Sequence, residues 1–427
     1  MKKINLEGLD ETVFHEKLDN GLNVYVLRKK DYNSFSCYFI TNYGALINKF
    51  VPINSDKEKT FPNGIAHFLE HKMFEQETGL NAMEKFASLA GTCNAFTNYE
   101  YTTYYVNGVD NLEENLLFLL DYVQSPYFTD ENVEKEKGII DQERLMIIDN
   151  PYRNFSFRIL QNIFKNYRYG ESVVGSKEDI YSITKEDLYE CYNTFYNPSN
   201  MSLIVVSNED EKKIIDLVKE NQSKKKFDKQ GKIKIEKIKE EKDVNKKYDV
   251  FKDNVSKQEN SYNIKIKLTD FNLDIEKILV YIHIMLSSNF GKISGFNLEL
   301  KNKKLINQNI HTGVSRFQDF AIISIDFSSD KEDEIIKMLD NKFNNIEFDE
   351  ETFNLIRKNL ISRFVYYFSN PNSIMSYLYG EYFDNKTIPS NTFTKYKELN
   401  YKEYKDFINQ IDFNNKSITI MKPLDKE

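Results

Sequence analysis

Two stretches of this chain share one grammar, and that repetition limits the fold more than any other feature. ITKEDLYECYNTFYNPSNMSLIVVS, residues 183–207, reads as a helix capped by Thr184, a turn at Asn197-Pro198 and a strand from Ser202. LNYKEYKDFINQIDFNNKSITIM, residues 399–421, reads as a helix, an Asn-rich turn and a strand that begins at Ser417. The two strand starts are 215 residues apart in a chain of 427. Such an ending can recur by chance, but one at the close of each half suggests two structurally related halves. The expected fold class is α+β, each half a mainly antiparallel sheet with helices packed on it.

The patterns between these endings agree. Leu22, Val24 and Val26 alternate behind an Asn20-Gly21 turn, as a strand does. Helical spacing follows near 64–75, 82–89, 112–124, 130–148, 152–166 and 185–195, with an extended segment over 93–107. The second half resumes with Tyr262, Ile264, Ile266 and Leu268 alternating, then helical patterns near 274–288 and 350–368. Residues 223–249 are dense in Lys with interspersed acids; they read as a solvated linker and its flanking strand rather than a nucleic-acid patch. The expected limits are a first domain over 1–222, that linker, and a second domain over 250–427.

Composition excludes several classes. With 58 Lys plus Arg against 66 Asp plus Glu, the formal charge is -8, which argues against a nucleic-acid partner. No apolar run approaches the ~20 residues of a membrane helix, and the N-terminal residues lack the apolar core of a signal peptide. Cys37, Cys93 and Cys191 are odd in number and far apart, which argues against a disulfide framework or a thiolate knuckle. A cytoplasmic location is expected.

The chemistry concentrates in GIAHFLEHKMFE, residues 64–75. The chain has five histidines, and His67 and His71 are separated by one helical turn, so both imidazoles lie on one face and can reach a single ion. Glu70 projects from the same side, and Asn63 is available to cap the helix. The plain alternative is two ordinary histidines on a partly buried helix. The chemical one is a zinc site with an open position for water and Glu70 as the base beside it. Such a site needs a third protein ligand. In TDENVEKEKGIIDQERLMIIDNP, Val133, Glu136, Ile140, Glu143 and Ile147 form a core-facing stripe that contains two carboxylates. Buried there, they need a cation, a metal or a histidine as partner; in a rotated stripe both would be surface residues. One can bind the ion while the other, two turns away, orients a ligand.

These residues resemble the inverted zinc motif of the pitrilysin/insulinase metallopeptidases, and within that family the bacterial YmfH-type subunits, which also carry HFLEHK. The resemblance runs through HEKLDNGLNVYVL, GTCNAFTNYEYTTYY, SPYFTDENVEKEKGIIDQE and YECYNTFYNPSNMSLIVV. It implies a clamshell-half fold, one Zn2+ per chain on His67, His71 and Glu143, Glu70 as general base and Glu136 as the carboxylate behind the ligands. It also implies that the segment around Asn94, Ala95 and Thr97 is the edge strand along which a peptide lies; taken alone, Asn94 reads equally as a turn or bulge residue. An edge offers unpaired N–H and C=O groups, so a peptide can add as a strand. The implied activity is zinc-dependent endopeptidase action on short or unfolded peptides through a metal-activated water.

One departure matters. Family members that complete the site carry an Arg and, seven residues on, a Tyr, where FNLELKNKKLINQN places Lys301 and Gln308. Lys lacks the planar fork of Arg, and Gln lacks an acidic hydroxyl. The resemblance therefore implies a heterodimer in which a related subunit supplies the Arg/Tyr pair. The rival reading is a non-catalytic assembly or peptide-holding member of the same fold. His15, His283 and His311 read as lone histidines without a metal role.

Overall fold

In the computed structural model, residues 1–425 are described apart from 54, 80 and 229. The strands are β1 (Lys2–Leu6), β2 (Glu11–Lys17), β3 (Asn23–Arg28), β4 (Phe35–Thr41), β5 (Lys49–Phe50), β6 (Lys59–Thr60), β7 (Gly91–Thr97), β8 (Thr102–Gly108), β9 (Met201–Ser207), β10 (Tyr248–Asp253), β11 (Glu259–Lys267), β12 (His311–Phe317), β13 (Phe320–Ser328) and β14 (Lys416–Pro423). Seven form one sheet in the order β1-β2-β3-β9-β4-β8-β7, and five form another in the order β10-β14-β11-β13-β12. β5 and β6 pair separately.

The repeated ending has a topological meaning. β9 lies between β3, to which it is parallel, and β4, to which it is antiparallel. β14 lies between β10, parallel, and β11, antiparallel. Each sheet thus holds the same five-strand core, and the first adds β1 and β2. A strand flanked on both sides needs apolar residues along its length, and Met201–Ser207 is buried at every position. The helix before β9, Lys185–Phe195, is closed by a capping box between Thr184 and Asp187, as its sequence predicts. Its counterpart Tyr401–Ile408 is capped by Asn400. The fold is α+β with antiparallel-dominated sheets, as expected.

The expected domain limits are corrected in three places. The chain forms two compact units that are discontinuous in sequence: residues 1–146, 172–237 and 364–393 in one, and 147–171, 238–363 and 394–427 in the other. Helix Pro151–Ile163 belongs with the second sheet, where Asn162 donates to Asp249 of β10 at 3.1 Å and to Thr419 of β14 at 2.9 Å. Helix Pro371–Asn385 belongs with the first sheet, where Tyr382 accepts a 2.8 Å hydrogen bond from Ser202 of β9. Composition marks where a chain is solvated, not which sheet a helix finds.

The Lys-rich segment is mostly exposed, as a solvated linker should be, but it is anchored to both units. Ile235 bridges to Phe50 in the first unit. In the second, the Glu240 carboxylate accepts from the backbone N–H of Lys165, Asn166 and Tyr167 and pairs with Lys265 at 2.8 Å, both side chains fully buried. Finally, the extended segment over 93–107 is a hairpin, β7 and β8, with a turn in which Asn98 Oδ1 accepts from Glu100 N and Tyr101 N.

Candidate metal centre

Helix Ile65–Lys72 carries the His67/His71 pair, and seven of its eight residues are buried, His71 being the exception. A helix enclosed this way would ordinarily be apolar, so its two histidines, glutamate and lysine all need partners. Its start differs from the expected Asn63 cap. Gly64 is the N-cap, at φ +82°, and a Cβ there would lie 2.1 Å from the carbonyl oxygen of Val174. This left-handed step lets the helix begin against the 174–175 turn, and it moves Asn63 off the cap, where its Oδ1 accepts from Asn48 at 2.8 Å.

The carboxylates come from helix Asp130–Ile148. Val133, Glu136, Ile140 and Ile147 are buried and Glu143 is partly so, which is the stripe read from the sequence. Glu143 faces both imidazoles, with Oε1 3.6 Å from His67 Nε2 and Oε2 3.4 Å from His71 Nε2. One ligand atom from each of His67, His71 and Glu143 lies within 4.8 Å of the others, and this is the sole such group among the described residues. Glu136, the buried one of the two carboxylates, instead meets the far side of His71, with Oε1 3.1 Å from Nδ1. His67 Nδ1 is buried without a hydrogen-bond partner among the described residues.

The donor set fits a divalent zinc ion. Two imidazole ε nitrogens and a carboxylate are the kind of three-ligand set that leaves a coordination position open for chemistry. Burial pulls the His67 pKa down to about 4, favouring the neutral ring a metal requires. For His71, burial also acts downward, but hydrogen bonding to Glu136 and Glu143 outweighs it and lifts the ring to about 10. A cation beside Glu143 would take over the charge which that proton now supplies.

Glu70 occupies a different environment. Burial pushes its carboxyl up to about 7, opposed in part by its contacts with His71 and Thr97. Its Oε2 accepts a 2.9 Å hydrogen bond from the Thr97 hydroxyl, itself 3.2 Å from the hydroxyl of Thr102. The last residue of β7 therefore turns its side chain to Glu70. Among the described residues β7 pairs only with β8, so it is one of the two edge strands of the seven-stranded sheet. Asn94 is exposed on it, with its Oδ1 accepting from Ala95 N at 2.8 Å.

Two features of this region escape the sequence reading. One is the Thr97 contact, which needs β7 to end beside the helix. The other is Lys72, whose side chain is completely buried, with Nζ 2.8 Å from Glu75 and 3.7 Å from Glu136. The HFLEHK string contains it, but nothing in a string tells a buried lysine from an exposed one. Lys301 lies in the last turn of helix Gly295–Asn302 and Gln308 is exposed beyond it. His283 is on helix Ile275–Phe290, 3.4 Å from the Ser287 hydroxyl.

Comparison with known proteins meets this geometry directly. Residues 49–177 match the model of the insulinase family, peptidase family M16, and residues 182–360 match that of the peptidase M16 inactive domain. The chain is 40% identical over 337 residues to the Bacillus subtilis uncharacterized zinc protease YmfH, covering 78% of each. This chain belongs to the M16 (insulinase) peptidase family. Its fold is that of an M16-like peptidase from Alicyclobacillus acidocaldarius, with a TM-score of 0.87, 24% identity, and 97% and 99% of the two chains covered. Against the periplasmic protease PqqL of Escherichia coli the TM-score is 0.77 at 18% identity, with 99% of this chain matching 48% of that one. No helix of the described residues is long and apolar enough to cross a membrane.

Proposed function

We propose that this M16 chain is a zinc-dependent endopeptidase for short or unfolded peptides, and the zinc-bearing partner of a heterodimer. The observation that carries the reading is the convergence of His67, His71 and Glu143 on one locus, with Glu70 beside it. Those three residues hold the ion and Glu136 orients His71. When bound, zinc supplies Lewis acidity toward a peptide carbonyl and toward water. Glu70, with its pKa pushed up to about 7, takes a proton from the attacking water and returns it to the leaving amide nitrogen. Thr97 fixes the carboxylate through Oε2. The free edge of β7, with Asn94 and Ala95, receives the peptide as an added strand, so backbone conformation matters more than side chains.

The heterodimer follows from Lys301 and Gln308 standing where an Arg/Tyr pair is needed. That PqqL spans two lengths of this chain fits an active unit made of two such pieces. The three cysteines, all free, suit the reducing cytoplasm. The match of residues 182–360 to a domain described as inactive favours a second reading, a peptide-holding protein without catalysis. Zinc content and cleavage of an unfolded peptide, with and without a sister chain that carries the Arg and Tyr, separate the two. The enzyme requires zinc near one equivalent, cleavage with the sister chain, and a loss of ~100-fold or more in Glu70→Gln with zinc retained. Zinc-free, inactive protein under both conditions supports the holding role.

A further inference from the structure

Lys72 has no part in the mechanism above, yet its burial is costly. A lysine ammonium taken out of water costs several kcal/mol unless charge nearby compensates for it. Here the side chain is fully buried, 2.8 Å from Glu75 and 3.7 Å from Glu136. An ammonium has three N–H donors, and Lys72 Nζ finds no well-aligned hydrogen bond among the described residues. Plain stabilisation would be as well served by apolar residues in place of the lysine and its carboxylate partner together.

The two oxygens of Glu136 show what the charge can do. Oε2 faces Lys72 and Oε1 faces His71 Nδ1 at 3.1 Å, while His71 Nε2 faces Glu143 at 3.4 Å. Ammonium, carboxylate, imidazole and metal locus thus form one line of alternating groups. We infer that Lys72 is a positioning residue: by engaging Glu136 Oε2 it holds the carboxylate against His71, so that His71 keeps its proton on Nδ1 and presents Nε2 to the ion. Without the lysine, Glu136 is a buried carboxylate with one partner too few, free to turn away, and that releases His71. Glu75 anchors the outer end of the line and is partly exposed. The inference rests on the zinc reading above and concerns metal affinity rather than turnover.

The test is zinc binding to the metal-free full-length chain, measured by competition with a fluorescent chelator. Lys72→Met weakens zinc binding by about 10–100-fold, the range for partners of a metal-bound histidine, while circular dichroism shows the fold retained. Lys72→Arg, which keeps the charge, recovers at least part of that affinity. In a Glu136→Gln background the Lys72→Met change costs less than threefold, because the intermediary is already gone. Folded Lys72→Met with wild-type zinc affinity, or a full additional loss in the Glu136→Gln background, overturns the inference. Histidine nitrogen NMR of the zinc-loaded wild type tests it without a variant: His71 bound through Nε2 with a protonated Nδ1 agrees, and coordination through Nδ1 overturns it. Wild-type chain that binds no zinc sinks the functional reading itself, a different result from an unaffected Lys72→Met.

Discussion

The two sheets share the core orders β3-β9-β4-β8-β7 and β10-β14-β11-β13-β12, yet fill one equivalent slot in opposite ways. Between β4 and β7 the chain places helix Ile65–Lys72, with two histidines, a glutamate and a lysine. Between β11 and β12 it places helix Ile275–Phe290, where Ile278, Tyr281, Ile282, Ile284, Met285, Leu286 and Phe290 join the hydrophobic core. One frame therefore supports an apolar helix in one unit and a polar one in the other. The buried lysines make the same contrast. Lys265 is saturated by Glu240 and the carbonyls of Ile163 and Asp243, as a structural pair should be. Lys72 is held by two carboxylates and left short of hydrogen bonds. Lys265 thus closes a structural pair, whereas Lys72 stands behind a group of side chains with the chemistry to hold an ion.

Three measurements break or sharpen this contrast. The largest effect is expected from Glu143→Ala: zinc affinity should fall by more than the roughly 10–100-fold that outer partners cost, with the second unit unfolding as before. Retained zinc would mean that the converging side chains are only a charge cluster. Next, Lys265→Met should destabilise the second unit by ~3–5 kcal/mol, because it strands Glu240 in the interior. Urea unfolding followed by circular dichroism measures this, and zinc affinity should not move; if it does, the two buried lysines do not differ in kind.

The smallest effect is a pH dependence of opposite sign for two buried glutamates in the metal-free chain. Glu70 has a folded pKa of about 7 against an ordinary 4.5, so between those values the folded form holds the extra proton and stability falls as pH rises. Glu70→Gln removes that slope and gains most relative to wild type near pH 8. Glu240 is lowered from 4.5: burial works against this, and Lys265 with the three backbone N–H groups prevails. Its contribution is present above 4.5 and is lost as pH falls through the lowered value. Glu240→Gln should therefore cost most at neutral pH, with the gap closing in acid. Slopes of the same sign in the two variants would refute the distinction.

Much of the site is written in local spacing. His67 and His71 one turn apart, and Glu136 and Glu143 within a core-facing stripe, could be read because helical periodicity fixes which side chains share a face. Thr184 was legible as a cap because a capping box is complete within four residues. Asn63 misled for the same reason: local rules favour Asn as a cap, while the approach of Val174 from 110 residues away demands Gly64 there. Thr97 entered as part of a substrate edge, but its hydroxyl belongs to Glu70, which only the meeting of strand and helix could reveal.

The sequence by itself determined most of the helices, the repeated ending and the five residues offered to a candidate metal site, because each depends on neighbours within a few residues. Tertiary structure decided which carboxylate faces both imidazoles and which stands behind one of them, that Lys72 is buried, and that Pro151–Ile163 and Pro371–Asn385 each join the other half's sheet. Those outcomes depend on packing between segments far apart in the chain, and periodicity carries no information about which distant surface a given face will meet.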